Sequence, residues 1–212
     1  MKKIVALLFV LTITPGVASA DPFSASFVGT GKGSGVSLNV YPGNVWAGAL
    51  NWKSGDWDFT AYCTDINSWL QPTQIFEKGA PAQVTNDPNN VQQISYLLAT
   101  NFATVQNTSV ALGGNLMGAG LQLAIWNIIY DGDFSVKTGE GAFFSTVSSG
   151  AVDYANTYLA NLRDHYSPTS TALFLKTENG QDQVTVPEPA TLLLLGTGVA
   201  ALAARRRARR TI

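Results

Sequence analysis

The side chains that could do chemistry are few, because the 212 residues include only one cysteine and one histidine. Cys63 lies in the stretch Ala61–Asp65, and His165 stands alone at the end of a predicted helix, where it is better placed for capping than for catalysis. One cysteine and one histidine cannot supply the four ligands of a structural zinc site. We therefore predict no catalytic residues, no metal and no cofactor, and we expect that the protein is not an enzyme.

A second short stretch, residues 121–126, contains one polar side chain, that of Gln122, among six residues. Burying an amide without partners costs about 1–3 kcal/mol, so another group should meet this side chain. Gln122 and Trp126 lie four positions apart and share one face of a predicted helix. Taken alone, these residues favour a plain structural interpretation, in which Cys63 fills space and Gln122 hydrogen-bonds to a neighbouring strand.

Together the two stretches resemble the thioester domains of bacterial surface adhesins, which carry an aromatic-Cys-x-Asp-like stretch and then a Gln-x-Ala-Ile-Trp-like stretch. The resemblance implies an internal thioester between the Cys63 sulfur and the Gln122 side-chain carbonyl. It also implies a surface ligand with an amine or hydroxyl group that attacks this carbonyl and frees the cysteine. The supporting motif residues are Tyr62, Asp65, Ala124, Ile125 and Trp126. For Asp65, orienting the loop and transferring a proton both stay open as roles.

The amino terminus has the pattern of a secretory signal peptide. Lys2 and Lys3 precede an apolar run over residues 4–13, and a small-x-small sequence ends at Ala20. A charged segment, an apolar segment and a small-residue cleavage site in this order are typical of a segment that is removed on export. We therefore predict a signal peptide over residues 1–20 and a mature chain that begins at Asp21.

The carboxy terminus has three parts in order: a Pro-Glu-Pro tripeptide, an apolar run over residues 190–204, and an arginine cluster. This run is short for a membrane span of about 20 residues, but arginine stems can extend its reach, so we expect a single transmembrane helix. The segment over residues 186–212 resembles the PEP-CTERM sorting signal. The residues that carry this resemblance are Pro187, Glu188, Pro189, Arg205, Arg206 and Arg207.

The resemblance to a sorting signal implies a Gram-negative envelope and two partners, an exosortase-like sorting enzyme and the inner membrane during sorting. It also implies association with exopolysaccharide or biofilm. We expect the processed protein in the cell envelope, at the cell surface or outside the cell. The intervening segment, residues 21–185, is the expected extracytoplasmic domain. It carries 13 acidic and six basic side chains, a net charge of about −7 that argues against a nucleic-acid partner.

The patterns of this segment predict an α+β fold, an antiparallel β-sheet or sandwich layer with about three helices. Short β-branched and aromatic runs between Gly, Pro and Asn clusters predict strands, and apolar residues at helical spacing predict helices. The predicted strands cover residues 24–28, 36–41, 45–52, 57–62, 73–77, 172–176 and 183–186, with a loop over residues 29–35. Three helices are predicted: one begins at Asp87, the second covers residues 116–130, and the third covers residues 151–165.

A second hypothesis is a non-covalent exopolysaccharide-matrix or carbohydrate-binding protein. Trp46, Trp52 and Trp57 lie on predicted strands, where exposed indole rings could stack on sugar rings. Such residues more often belong to the core. A hydrolase is a third hypothesis, and it would need a pair of carboxylates that the sequence does not single out.

Overall fold

The structure is a computed structural model that describes residues 21–147, 149–168 and 172–186. The predicted signal peptide and the sorting residues from Pro187 onward lie outside these ranges, and so does the predicted transmembrane helix. Within the described ranges, no helix combines the length and the hydropathy needed to cross a bilayer. The α+β class predicted from the sequence is confirmed for this part of the chain.

Six antiparallel strands form a sheet that closes on itself. Its strand order is β1-β2-β3-β6-β5-β4, and β4 pairs back with β1. The strands are β1 (Phe23–Leu38), β2 (Tyr41–Ser54), β3 (Trp57–Cys63), β4 (Thr73–Lys78), β5 (Leu173–Lys176) and β6 (Gln183–Thr185). The helices are α1 (Ala82–Thr85), α2 (Asn90–Asn107), α3 (Gly114–Tyr130) and α4 (Gly150–His165), with a 3-10 turn at Val110–Leu112.

The glycine-rich segment over residues 29–35 is not the predicted loop but the middle of the long strand β1. Its pairing with β2 is irregular, with register shifts between Phe27 and Gly29 and between Thr30 and Gly33. A Cβ atom on Gly33 would lie 2.8 Å from the Cα of Gly48 in β2. The glycines therefore permit bulges and a close approach of two strands. A glycine-rich strand of this kind cannot be distinguished from a loop by its sequence pattern.

The aromatic residues of the strands divide between core and surface. Trp52 is 1% exposed and packs edge-on against Phe76, and the ring of Trp57 stacks on Phe59 with centroids 4.2 Å apart. Trp52 therefore belongs to the buried core of an apolar cluster built from the strands, and the half-buried Trp57 packs against that cluster. Of the three tryptophans in the carbohydrate-binding hypothesis, Trp46 alone is exposed.

Helix α3 is buried on nearly all sides, since 13 of its 17 residues are buried. Two glycines let it pack closely on both neighbours. A Cβ atom on Gly118 would lie 2.4 Å from the backbone oxygen of Lys32 in β1, and one on Gly120 would lie 2.6 Å from the Cβ of Tyr154 in α4. These contacts fix the position of the helix that carries Gln122.

Candidate functional site

Cys63, the last residue of β3, and Gln122, in the middle of α3, meet through two hydrogen bonds. The backbone N–H of Cys63 donates to Gln122 Oε1 at 3.0 Å, and Gln122 Nε2 donates to the Cys63 carbonyl oxygen at 2.7 Å. A backbone N–H can only donate and a carbonyl can only accept, so this pairing fixes which way the amide faces. The amide carbon of the fully buried Gln122 therefore lies beside the residue that carries the sulfur.

The loop that follows Cys63 is held against α3 and the strand β6. The backbone N–H of Ile66 donates to the hydroxyl of Tyr130, which lies two turns beyond Gln122 on the same helix, at 3.1 Å. The backbone N–H of Thr64 donates to the carbonyl of Asp182 at 2.9 Å. Because the loop is attached at several points, the position of the sulfur is determined by α3 and β6 together.

Asp65 holds the turn of this loop. Its carboxylate accepts hydrogen bonds from the backbone N–H of Asn67 at 3.0 Å and from the hydroxyl of Ser68. Its backbone, by contrast, contacts the sulfur: the Asp65 carbonyl lies 3.0 Å and its N–H 3.3 Å from Cys63 Sγ. Of the two roles left open by the sequence, these contacts support orientation of the loop.

The sulfur lies in an apolar setting that keeps the thiol protonated. Burial raises the pKa of the Cys63 thiol, and the charges of Asp65 and Asp182 raise it further. The backbone N–H of Asp65 and the indole N–H of Trp126 oppose this rise, the latter from outside ordinary hydrogen-bond geometry. The same two donors face the charge that develops when the sulfur becomes a thiolate.

Buried polar atoms without partners cluster around this pair. Six such side-chain atoms occur in the described ranges, and three of them belong to Thr64, Trp126 and Gln183. Thr64 follows Cys63, Gln183 pairs with Cys63 across β3 and β6, and Trp126 lies one turn beyond Gln122. An unsatisfied buried polar group costs about 1–3 kcal/mol, so these three atoms do not stabilise the fold as they stand.

The remaining motif residues pack around the pair. Tyr62 faces α2, where its ring lies edge-on to Phe102 with centroids 6.3 Å apart and its hydroxyl lies 3.5 Å from Gln106 Nε2. Ala124 and Ile125 are fully buried in the core. These three side chains position the strand and the helix, whereas Asp65 and Trp126 lie at the sulfur.

A cleft of about 430 Å³ opens beside this site, and Cys63 and Trp126 contribute to its lining. Three aromatic residues, Tyr41, Trp46 and Trp69, also line it. Trp69 is 75% exposed and Trp46 is 39% exposed. Our sequence reasoning missed Trp69, whose only signal was a large aromatic side chain after Asn67 and Ser68 in a polar turn.

Metal ligands do not gather in the described part of the chain, which contains no group of three or more His, Cys, Asp or Glu side chains placed to hold an ion.

Comparison with known proteins identifies the tail of the chain. No curated protein matches the sequence. Among solved structures, the fold is similar to an N-terminal thioester domain of a surface protein from Clostridium perfringens, with a TM-score of 0.43, 11% sequence identity, and coverage of 79% of this chain and 99% of that chain. Residues 185–207 match the PEP-CTERM protein-sorting motif, which confirms the predicted sorting signal. The chain therefore carries an exosortase-type sorting motif that indicates export and a cell-surface or membrane-associated destination.

Proposed function

We propose that this protein is a surface protein sorted by an exosortase, and that its exported body attaches covalently to a partner through a thioester between Cys63 and Gln122. The observation that carries the proposal is the pair of hydrogen bonds between the Gln122 amide and the Cys63 backbone. This pairing holds the Gln122 amide against the backbone of the residue that carries the sulfur, which supports a bond between the two side chains.

Thioester formation needs no cofactor. The Cys63 sulfur attacks the side-chain carbon of Gln122, the bond from this carbon to Nε2 breaks, and the thiol proton leaves with the nitrogen as ammonia. The backbone N–H of Cys63 lies 3.0 Å from Gln122 Oε1. This distance is within the range at which a donor stabilises the oxyanion of a tetrahedral intermediate.

The bonded state then stores an activated acyl group. An amine or hydroxyl of the partner attacks the same carbon, the carbon–sulfur bond breaks, and the proton of the nucleophile goes to the sulfur. The products are an amide or ester to the partner and a free Cys63 thiol. Because the reaction consumes the acyl group of Gln122, each molecule reacts once, and we propose an adhesive role rather than an enzymatic one.

Intact mass spectrometry of the exported protein, compared with the sequence mass of the processed chain, tests this proposal. We expect the wild-type protein to lack the mass of one ammonia and to resist thiol alkylation after denaturation. Cys63→Ala and Gln122→Ala should both show their full sequence masses, because neither has both reacting groups. A wild-type protein with its full sequence mass and an alkylatable Cys63 would contradict the proposal.

A second candidate function is non-covalent binding of a saccharide. The observation that favours it is the exposure of Trp46 and Trp69 at the cleft. Saccharide binding that is unchanged in Cys63→Ala would support this candidate. Complete loss of saccharide binding in that variant would exclude it.

A further inference from the structure

The cleft beside Cys63 offers a partner a route to the sulfur. Cys63 is itself only 3% exposed, so a nucleophile must enter through the space that this cleft provides. Gln122 does not line the cleft, so the residues around the entrance decide which partners bring a nucleophile to the Cys63 side of the pair. The kind of partner can be argued from the chemistry of that lining.

The lining combines aromatic faces with neutral polar groups. Trp46 and Trp69 present large exposed rings, and Asn44, Ser68 and Gln181 contribute amide and hydroxyl groups. Ligand sites of this kind combine apolar contact area with a few polar groups that fix orientation. A sugar ring matches both features, because it has an apolar face of C–H groups and a rim of hydroxyls.

The described residues that line the cleft include no Asp, Glu, Lys, Arg or His. A sugar hydroxyl is a weak nucleophile that needs a general base, and this lining offers none. A lysine side chain has a pKa of about 10.4, so it arrives as an ammonium ion, and the lining offers no carboxylate to take its proton. An amine on a sugar ring is less basic than lysine, so more of it is uncharged and reactive at neutral pH.

Charge near the sulfur favours amines over neutral sugars. Asp65 and Asp182 lie close enough to Cys63 for their charges to act on its sulfur, although they do not line the cleft. A weakly basic amine that is partly protonated is attracted toward this negative region, whereas a neutral sugar gains nothing from it.

We propose that the partner of this site is a saccharide that contains amino sugars with free amino groups. This inference rests on the proposed thioester. Sugar rings stack on Trp46 and Trp69, and a ring amine attacks the Gln122 side-chain carbon. The carbon–sulfur bond breaks, one proton of the amine goes to the Cys63 sulfur, and the product is an amide between Gln122 and the sugar.

The test compares adduct formation on the full-length exported protein with four probes: methylamine, glucosamine oligomers, their N-acetylated counterparts and a lysine-containing peptide. We expect glucosamine oligomers to react faster than both the acetylated oligomers and the peptide. The double variant Trp46→Ala/Trp69→Ala should react with glucosamine oligomers about tenfold more slowly, because it has lost the stacking faces. Methylamine is too small to need those faces, so the ratio of the glucosamine-oligomer rate to the methylamine rate should also fall.

A matched control is Tyr166→Ala, because Tyr166 is as exposed as Trp46, at 39%, and lies outside the lining of the cleft. This variant should react like the wild type with every probe. Equal or faster reaction of the lysine peptide, or of the acetylated oligomers, would overturn the inference while leaving the thioester in place. Absence of a methylamine adduct together with a full sequence mass would overturn the proposed function, and this inference with it.

Discussion

Two buried amides on helix α3 show how differently the same chemical group can be used. Gln122 and Asn127 lie five positions apart, and both are fully buried and hydrogen-bonded. Asn127 Nδ2 donates to Asp133 Oδ1 at 2.8 Å and to the Ser135 carbonyl at 2.7 Å, while its Oδ1 accepts the N–H of Phe134 at 3.2 Å. All its side-chain partners follow within eight residues.

The Gln122 amide instead contacts the backbone of Cys63, which lies 59 positions away and is the only cysteine of the chain. Buried polar atoms without partners surround it, whereas the amide of Asn127 uses both of its polar atoms within one local loop. The Asn127 contacts also hold Phe134 at a φ of 63°, in the left-handed region. The two amides are equally buried, so what distinguishes Gln122 is the distant residue that it contacts.

The largest effect on stability should come from Asn127→Ala. Removing this fully buried side chain deletes its three hydrogen bonds to the 133–135 loop and leaves a cavity, so we expect the free energy of unfolding to fall by about 3 kcal/mol. The ammonia deficit should persist, because Cys63 and Gln122 are untouched. Denaturant unfolding and intact mass measure the two effects.

Asn101→Ala is the control for this prediction. Asn101 is half-buried, and its side chain donates to the Leu97 carbonyl within the same helix. Its removal should change the free energy of unfolding by no more than about 0.5 kcal/mol. If Asn127→Ala abolished the ammonia deficit while the protein stayed folded, the contrast between the two amides would fail.

A smaller effect should appear as a dependence of stability on pH when the thioester cannot form. In Gln122→Ala the thiol is free, and burial holds its pKa above the unfolded value of about 8.5. The unfolded chain therefore loses its proton first as pH rises. The contribution of the buried, protonated thiol to the free energy of unfolding is complete below about pH 8.5. Above that pH the free energy of unfolding falls by about 1 kcal/mol per pH unit.

Cys63→Ala lacks this thiol and keeps the buried tyrosines whose pKa values are also raised, Tyr62, Tyr130 and Tyr158. The difference between the two variants therefore isolates the cysteine. Urea unfolding from pH 7 to pH 10 measures it. Parallel pH profiles for the two variants would show that the free thiol is not in a desolvated site.

The smallest effect should follow from Trp126→Phe, which keeps a ring but removes the N–H that lies near the sulfur. We expect the thioester to form and its reaction with methylamine to slow by about fivefold, because one donor to the departing thiolate is lost. Trp52→Phe is a matched control, since Trp52 is also buried with an unpartnered indole N–H but lies in the other core cluster. Equal rates of reaction with methylamine in the two variants would show that the Trp126 N–H does not take part in the reaction.

Local patterns predicted most of the elements, and the failures have a common cause. The sequence predicts helix α3 over residues 116–130, close to the observed helix that begins at Gly114. This prediction succeeds because the apolar character of the helix is visible in consecutive residues. The sequence predicts a loop over residues 29–35, but this segment is part of β1. Its glycines allow close contact with β2 and α3 and do not form a turn. Helix α2 begins at Asn90 rather than at the predicted Asp87.

The candidate site divides in the same way. The sequence could single out Cys63 as the only cysteine and Gln122 as the one polar side chain of residues 121–126, and the resemblance supplied their connection. It could not find Trp69 or Gln183, whose side-chain oxygen has no partner, because their proximity to Cys63 depends on the tertiary fold. It also could not tell that Trp52 is a core residue, that Trp57 is half-buried and that Trp46 is exposed.

The sequence by itself determined the sorting tail, the α+β class and the two residues capable of the proposed chemistry, because these depend on residue types and short-range spacing. Only the tertiary structure decided that the Gln122 amide meets the Cys63 backbone, and that a cleft with aromatic walls opens beside the sulfur. Contacts across 59 residues arise from the packing of a whole helix against a closed sheet. No local pattern encodes that packing.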